Sequence, residues 1–213
     1  MELTVPESSG GGNFIQVPAG IHLACCYRII DLGTQNVTYM GQSKMSRKVL
    51  FQFEVHTENS DGTPLLTPDG KPLSISKQYT RSLGENAIMR RDLQSWRGKV
   101  FEKKEVFRFQ NILGQWCMIN VVHTSKDGKT YANIDSITPV PAAIKKNGLP
   151  DAANAPVLFS IENADMAVFE TFSDYIKDKI KSSPEWEAFG KHATPAPAEK
   201  GADFDDFESD IPF

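Results

Sequence analysis

Apolar and polar positions alternate over residues 49–56, where Val49, Phe51, Phe53 and Val55 interleave with Leu50, Gln52, Glu54 and His56. Successive side chains of a strand point to opposite faces, so residues 44–57 predict a half-buried strand with the Val/Phe side inward. Residues 21–32 are rich in β-branched and aromatic types, and Gly33 with Asn36 then permits a sharp bend before residues 37–40. That pattern predicts a long bent strand or a strand pair. Residues 58–76 carry Asp-Gly pairs at Asp61 and Asp69 and three prolines. They predict an excursion loop or small β-arm turning at Asp69-Gly70, before a short strand at 77–80. Residues 116–124 and 129–138 alternate on either side of Ser125-Lys126-Asp127-Gly128, an Asp-Gly hairpin signal.

Between these strands the period changes. Ser82 and Glu85 form a capping-box pattern that predicts a helix running to about Trp96, with Met89, Leu93 and Trp96 as its buried stripe and Gly98 as its end. Residues 102–113 predict a short helix or a loop with Phe107 and Phe109 packed beneath it. After Pro139 the chain turns rich in Pro, Ala, Asn and Gly, predicting a linker or surface arm through Pro156. Met166, Phe169, Phe172, Ile176 and Ile180 recur at three- and four-residue intervals, so residues 161–181 predict an amphipathic helix docked on the domain or on another subunit. Ser183-Pro184-Glu185 restarts a short helix, because proline suits the first helical position after a serine cap.

The order bent strand, strand, loop, strand, helix, hairpin predicts a mainly β chain built on an OB-fold. That fold is a five-stranded Greek-key barrel with a helix inserted between its third and fourth strands. A generic α+β sandwich shows similar signals. The domain scheme is a flexible leader at 1–17, a barrel domain at 18–140, a linker and C-terminal helical extension at 141–190, and a disordered linker with an acidic tail at 191–213.

Charge sharpens this scheme. The net charge of -4 averages two opposite parts. Residues 21–147 hold 18 Lys and Arg against 11 Asp and Glu, a balance of +7, while residues 201–213 hold five acids and no base. Such asymmetry suggests a polyanion-binding domain carrying a separate acidic arm. The tail ends on an apolar Ile211-Pro212-Phe213 tip that solubility does not call for. Its acids, among them Asp205, Asp206 and Asp210, supply charge, while Phe207 and the tip supply shape for a partner protein.

Other chemistries find little support. The sequence lacks a phosphate-cradling G-x-x-x-x-G-K-[ST] loop, a G-x-S-x-G elbow and an H-E-x-x-H pair, so no catalytic residues, metal ligands or cofactors are assigned and the chain is not read as an enzyme. Cys25, Cys26 and Cys117 form no C-x-x-C pair and read as reduced structural thiols. Without an apolar run of transmembrane length or a secretory signal, the expected location is the cytoplasm, away from membranes.

A groove for single-stranded nucleic acid needs cations at phosphate spacing and aromatic faces for bases. The candidates are Tyr27 and Arg28, then Lys44, Arg47 and Lys48 at the start of the alternating strand, then Tyr79 and Arg81. Arg90 and Arg97 lie on one helix face, and Lys126, Lys129 and Tyr131 decorate the hairpin. Tyr131 shares a polar face with Asn133 and Asp135 and is expected to point outward; Trp116 is either a stacking ring or a core ring.

Tyr27-Arg-Ile-Ile-Asp-Leu-Gly-Thr-Gln35, Tyr79-Thr-Arg-Ser-Leu83, Leu93-Gln-Ser-Trp-Arg-Gly98 and the Asp210-Ile-Pro-Phe213 tip resemble the small single-stranded DNA-binding proteins of tailed bacteriophages. The tip also resembles the C-terminal peptide by which bacterial single-stranded DNA-binding proteins recruit replication and repair enzymes. The resemblance implies an OB-fold core, sequence-independent coating of single-stranded DNA in replication or recombination, and replication or recombination proteins as tail partners. The short linker and added helix differ from the bacterial pattern, so a monomer or homodimer is expected at least as much as a tetramer. A strand-annealing recombination protein and an OB-fold interaction adaptor are the alternatives.

Overall fold

The computed structural model describes residues 15–39, 41–102 and 105–193. Most of the predicted leader, and the tail residues Asp205, Asp206, Phe207, Asp210, Ile211, Pro212 and Phe213, lie outside the described residues.

Six strands form one sheet: β1 (Gly20–Tyr39), β2 (Gln42–His56), β3 (Leu73–Thr80), β4 (Trp116–Lys126), β5 (Lys129–Thr138) and β6 (Val157–Phe159). The path is β3-β2-β1-β4-β5 with antiparallel neighbours, and β6 joins β1 in parallel. β1 is one long strand, not a pair. It bends where its register against β2 slips, between Cys26 and Arg28 and between Asp31 and Gly33. Its ladder with β4 ends at Cys25, and β6 takes up the edge at residues 28–30. The β4–β5 hairpin closes through Asp127 and Gly128 at φ 53° and 74°, the left-handed pair that an Asp-Gly turn supplies.

The expected closed barrel is not formed: the sheet stays open between β3 and β5. Helix α1 (Ile88–Arg97) and polar side chains bridge the gap instead. Lys77 Nζ donates to the Asp135 carbonyl at 3.0 Å and pairs with Asp92 of α1 at 2.7 Å, while the Tyr79 hydroxyl donates to the same carboxylate at 3.0 Å. Those side chains stand where ladder hydrogen bonds would otherwise run. Helix α1 begins later than the capping-box pattern implies. The Ser82 hydroxyl accepts the Gly84 N–H within a turn, and Ala87 caps the helix without a side-chain bond.

The two sheet faces carry separate cores. Inside the curve, Val49, Phe51, Phe53 and Val55 pack with Met89, Leu93 and Trp96 of α1, as the two periodicities require. The outer face of β1 and β2 is covered as well. After α2 (Ala142–Asn147) and β6 come α3 (Met166–Glu170), α4 (Asp174–Lys181) and α5 (Pro184–Ala193). Phe169, Phe172, Ile176 and Ile180 join Ile30, Leu32 and Leu50 in the second core. The single helix predicted over 161–181 is therefore broken. Asp165 caps α3 through the Ala167 and Val168 N–H groups, and the Thr171 hydroxyl turns back onto the Val168 carbonyl, ending that helix before Ser173 opens α4. The three- and four-residue spacing survives the break, except that Met166 is exposed.

This second layer explains two burials that alternation alone assigned to the polar side. Leu50 enters the outer core, and Glu54 is fully buried. Glu54 accepts hydrogen bonds from the Ala153 and Asn154 N–H groups at 2.9 and 2.8 Å, from Asn154 Nδ2 and from His56 Nε2. Burial opposes its charge, but these bonds outweigh that cost and hold its carboxyl below the ordinary glutamate range. The segment read as a linker is thus strapped to β2.

Gly33 is the hinge between sheet and helices. Its φ of 68° is left-handed, and a methyl there would run into Ser183 at the α4–α5 junction. Beside it, Glu185 accepts from the Thr34 N–H at 2.8 Å and from the Thr34 hydroxyl at 2.6 Å. Gly33→Ala is expected to cost about 2–5 kcal/mol, from backbone strain and overpacking together. Chemical denaturation measures this, and a loss below about 0.5 kcal/mol would show that Ser183 yields without cost.

Candidate nucleic-acid interface

The adjoining ends of β2 and β3 gather the densest cationic chemistry. Arg81 leaves β3 with its N–H on the Arg47 carbonyl, so both arginines stand over the same end of the sheet. Asp31 lies between them, buried. Arg47 binds it through Nε at 3.2 Å and through Nη2, and Arg81 Nη1 approaches it at 3.7 Å. The hydrogen bond to Asp31 is the chief reason the Arg47 guanidinium is held charged more firmly than usual. Glu162 takes the other side of Arg47 at 3.1 Å. Arg47 is thereby a structural cation, whereas Arg81 keeps an exposed side chain.

Next to Arg81 opens a concavity of about 370 Å³, lined by Asp31, Arg81, Ser82, Phe107, Arg108, Phe109, Gln110 and Ser160 above a floor that includes Ile29, Val49 and Met89. The loop after α1 builds its wall. Phe109 inserts edge-on against Phe51 at 5.7 Å, Phe107 packs at 6.1 Å from Phe109, and a 3₁₀ turn (Phe109–Asn111) fixes the bend. Both rings are half-buried, while Arg108 between them is exposed and makes no ion pair among the described residues. Arg81 sits over Phe109 at 6.0 Å. An exposed arginine above a half-exposed ring, with Arg108 at the rim, can meet a phosphate and a base together.

No family model matches the chain, and no curated protein matches it significantly. The geometry alone therefore carries the functional argument.

The structure disperses the other candidates. Tyr79 is a core residue, 3% exposed, tilted against Phe51 and bonded to Asp92; burial and that carboxylate push its hydroxyl well above the usual tyrosine range. Its assignment to base stacking is corrected, and so is that of Tyr27, which is 8% exposed. Tyr79 is covered by α1, through Met89, Leu93 and Asp92, and the Arg28 guanidinium lies over the Tyr27 ring. Arg90 and Arg97 are also corrected as phosphate ligands. Arg90 donates to Gln94 Oε1 and to the Leu83 and Phe101 carbonyls, while Arg97 binds Glu105 at 2.6 Å and lies 4.5 Å over Phe101. Both hold the loop that carries Phe107 and Phe109. Arg28 lies over the Tyr27 and Phe172 rings at 5.4 and 5.5 Å, joining sheet to helices. Trp116 is half-buried edge-on to His56 at 4.8 Å.

Lys44, Lys126, Lys129 and Tyr131 are exposed on the two hairpins. The strand register sets the β1–β2 and β4–β5 hairpin ends at opposite ends of β1. Lys48 lies on the outer face, donating to Thr80 Oγ1 at 2.8 Å. Of the sequence-assigned cations, Arg47 and Arg81 are brought together on Asp31, while Lys48 lies at the same strand end on the other face. Arg108 and the half-exposed Phe107 and Phe109, which line the opening, were not among the sequence candidates. The signal available for them was the Phe-Arg-Phe alternation at 107–109.

Among the described residues, no helix is long and apolar enough to cross a membrane.

Proposed function

We propose that the protein coats single-stranded DNA without reading its sequence, in phage replication or recombination, and that it is not an enzyme. The observation that carries this reading is the opening beside β3, where Arg81 and Arg108 flank the half-exposed rings of Phe107 and Phe109. Phosphates meet the guanidiniums and bases meet the rings, and neither contact discriminates one base from another. The strand path β3-β2-β1-β4-β5, with α1 between β3 and β4, supports an OB-fold as the parent architecture, opened between β3 and β5. The fold offers its strands two and three and its hairpin loops to single strands, which is where Lys44, Lys126, Lys129 and Tyr131 stand.

The acidic tail fits this reading as an arm with two uses. Its five carboxylates compete with DNA for the cationic opening when DNA is absent, and its Ile211-Pro212-Phe213 tip recruits replication or recombination proteins once DNA displaces it. A fluorescence titration with oligo-dT across salt, run on the full chain and on a chain lacking residues 204–213, tests both parts. The expected result is a steep fall of affinity with salt, little preference over other oligonucleotides, and tighter low-salt binding by the truncated chain. Absence of oligo-dT binding overturns the coating role, and unchanged affinity after truncation overturns the competition.

A further inference from the structure

Lys48 of β2 and Lys179 of α4 reach Thr80 and Gln78, two positions apart on the outer side of β3, and neither is paired with a carboxylate among the described residues. Each ammonium rests on a neutral acceptor: Lys48 Nζ donates to Thr80 Oγ1 at 2.8 Å, and Lys179 Nζ donates to Gln78 Oε1 at 2.7 Å. Burial and the Lys179 charge together push the Lys48 ammonium down from its ordinary range. Two cations held in mutual repulsion above a pair of uncharged oxygens gain most from an anion placed between them.

The other cations of α4 are occupied differently. Lys177 pairs with Glu170 at 2.6 Å, and Lys181 lies 5.8 Å over Phe169. Lys179 alone of the three reaches the sheet. One turn before it, Tyr175 is 68% exposed, and Lys179 Nζ lies 4.6 Å over its ring. Helix α4 is fixed for this purpose: Gln35 Nε2 donates to the Lys179 carbonyl at 2.7 Å, and Ile176 and Ile180 anchor the helix in the outer core.

We propose that Lys48, Lys179 and Tyr175 form a second nucleotide subsite, in which the two ammoniums clamp one phosphodiester and the tyrosine ring stacks on the adjacent base. This inference rests on the single-stranded DNA reading and extends it: the C-terminal helical layer contributes binding residues of its own in addition to bracing the sheet. The strand then passes from the Arg81–Arg108 opening over Thr80 to α4.

Two measurements test the subsite. In the oligo-dT titration, Tyr175→Ala is expected to weaken affinity roughly five- to a hundredfold, the range for one lost stacking contact. The double variant Lys48→Gln with Lys179→Gln is expected to lower the salt slope by about 0.7, one phosphate's worth for a single strand. The native full chain, photo-cross-linked to an oligo-dT bearing 5-iododeoxyuridine, is expected to yield an adduct at Tyr175, a readout that needs no variant to fold. Unchanged affinity and slope in both variants, or adducts confined to residues outside α4, overturn the subsite while native oligo-dT binding leaves the coating role standing. Failure of the native chain to bind oligo-dT overturns both.

Discussion

Phe169→Ala is expected to remove about 3–5 kcal/mol of stability, the range for emptying a large aromatic site in a packed interior. Phe169 is 1% exposed and central to the outer core. Its ring stacks on Trp186 of α5 at 4.5 Å and lies 6.1 Å from both Phe159 of β6 and Phe172. Truncation therefore loosens three elements at once: the short parallel strand, the turn between α3 and α4, and the last helix. The site cannot easily collapse, because Phe159 is tied to β1 by strand pairing and α5 is tied to Thr34 by Glu185. Urea denaturation followed by circular dichroism gives the loss, and tryptophan fluorescence reports the exposure of Trp186. A loss under about 1 kcal/mol would mean that the helical layer contributes little to the fold.

The inner core was readable because each half of it repeats with one period. Val49, Phe51, Phe53 and Val55 mark a strand face, Met89, Leu93 and Trp96 mark a helix face, and the structure packs one against the other. The outer core was harder to read. Leu50 and Glu54 sit at polar positions of the same alternation, and only a layer contributed from about a hundred residues downstream, through Asn154 and Phe159, makes them interior. Local pattern carries no information about such distant cover. The helix start failed for a related reason, since the Ser82 hydroxyl serves a turn as readily as a cap. For the candidate site the obstacle was competition for cations. Arg47, Arg90 and Arg97 look identical to Arg81 and Arg108 in a sequence, yet the first three are spent on Asp31 with Glu162, on backbone carbonyls and on Glu105. Which arginine remains free depends on where carboxylates and carbonyls fall in space.

That distinction sets the second large effect. Arg81→Gln combined with Arg108→Gln is expected to cut the salt slope of oligo-dT binding by about 1.4, since each single-strand phosphate contact contributes about 0.7. The affinity gap between native and variant chains then narrows roughly sevenfold as salt rises from about 50 to about 200 mM, a signature that loss of folding would not produce. The fold should tolerate the pair. Arg108 makes no ion pair among the described residues, and Asp31 keeps Arg47 and the Gly33 N–H when Arg81 is neutralised. Arg91→Gln is the control for overall charge, because Arg91 is also exposed, on α1, but it pairs with Asp92 at 3.3 Å and faces the gap beside Asp135, away from the ring-lined opening. If Arg91→Gln lowers the slope as much per charge as the double variant, DNA senses only the overall charge of the domain, and the opening between Arg81 and Arg108 is not its site. A slope unchanged by the double variant excludes the opening directly, because Arg81 and Arg108 are the arginines that line it.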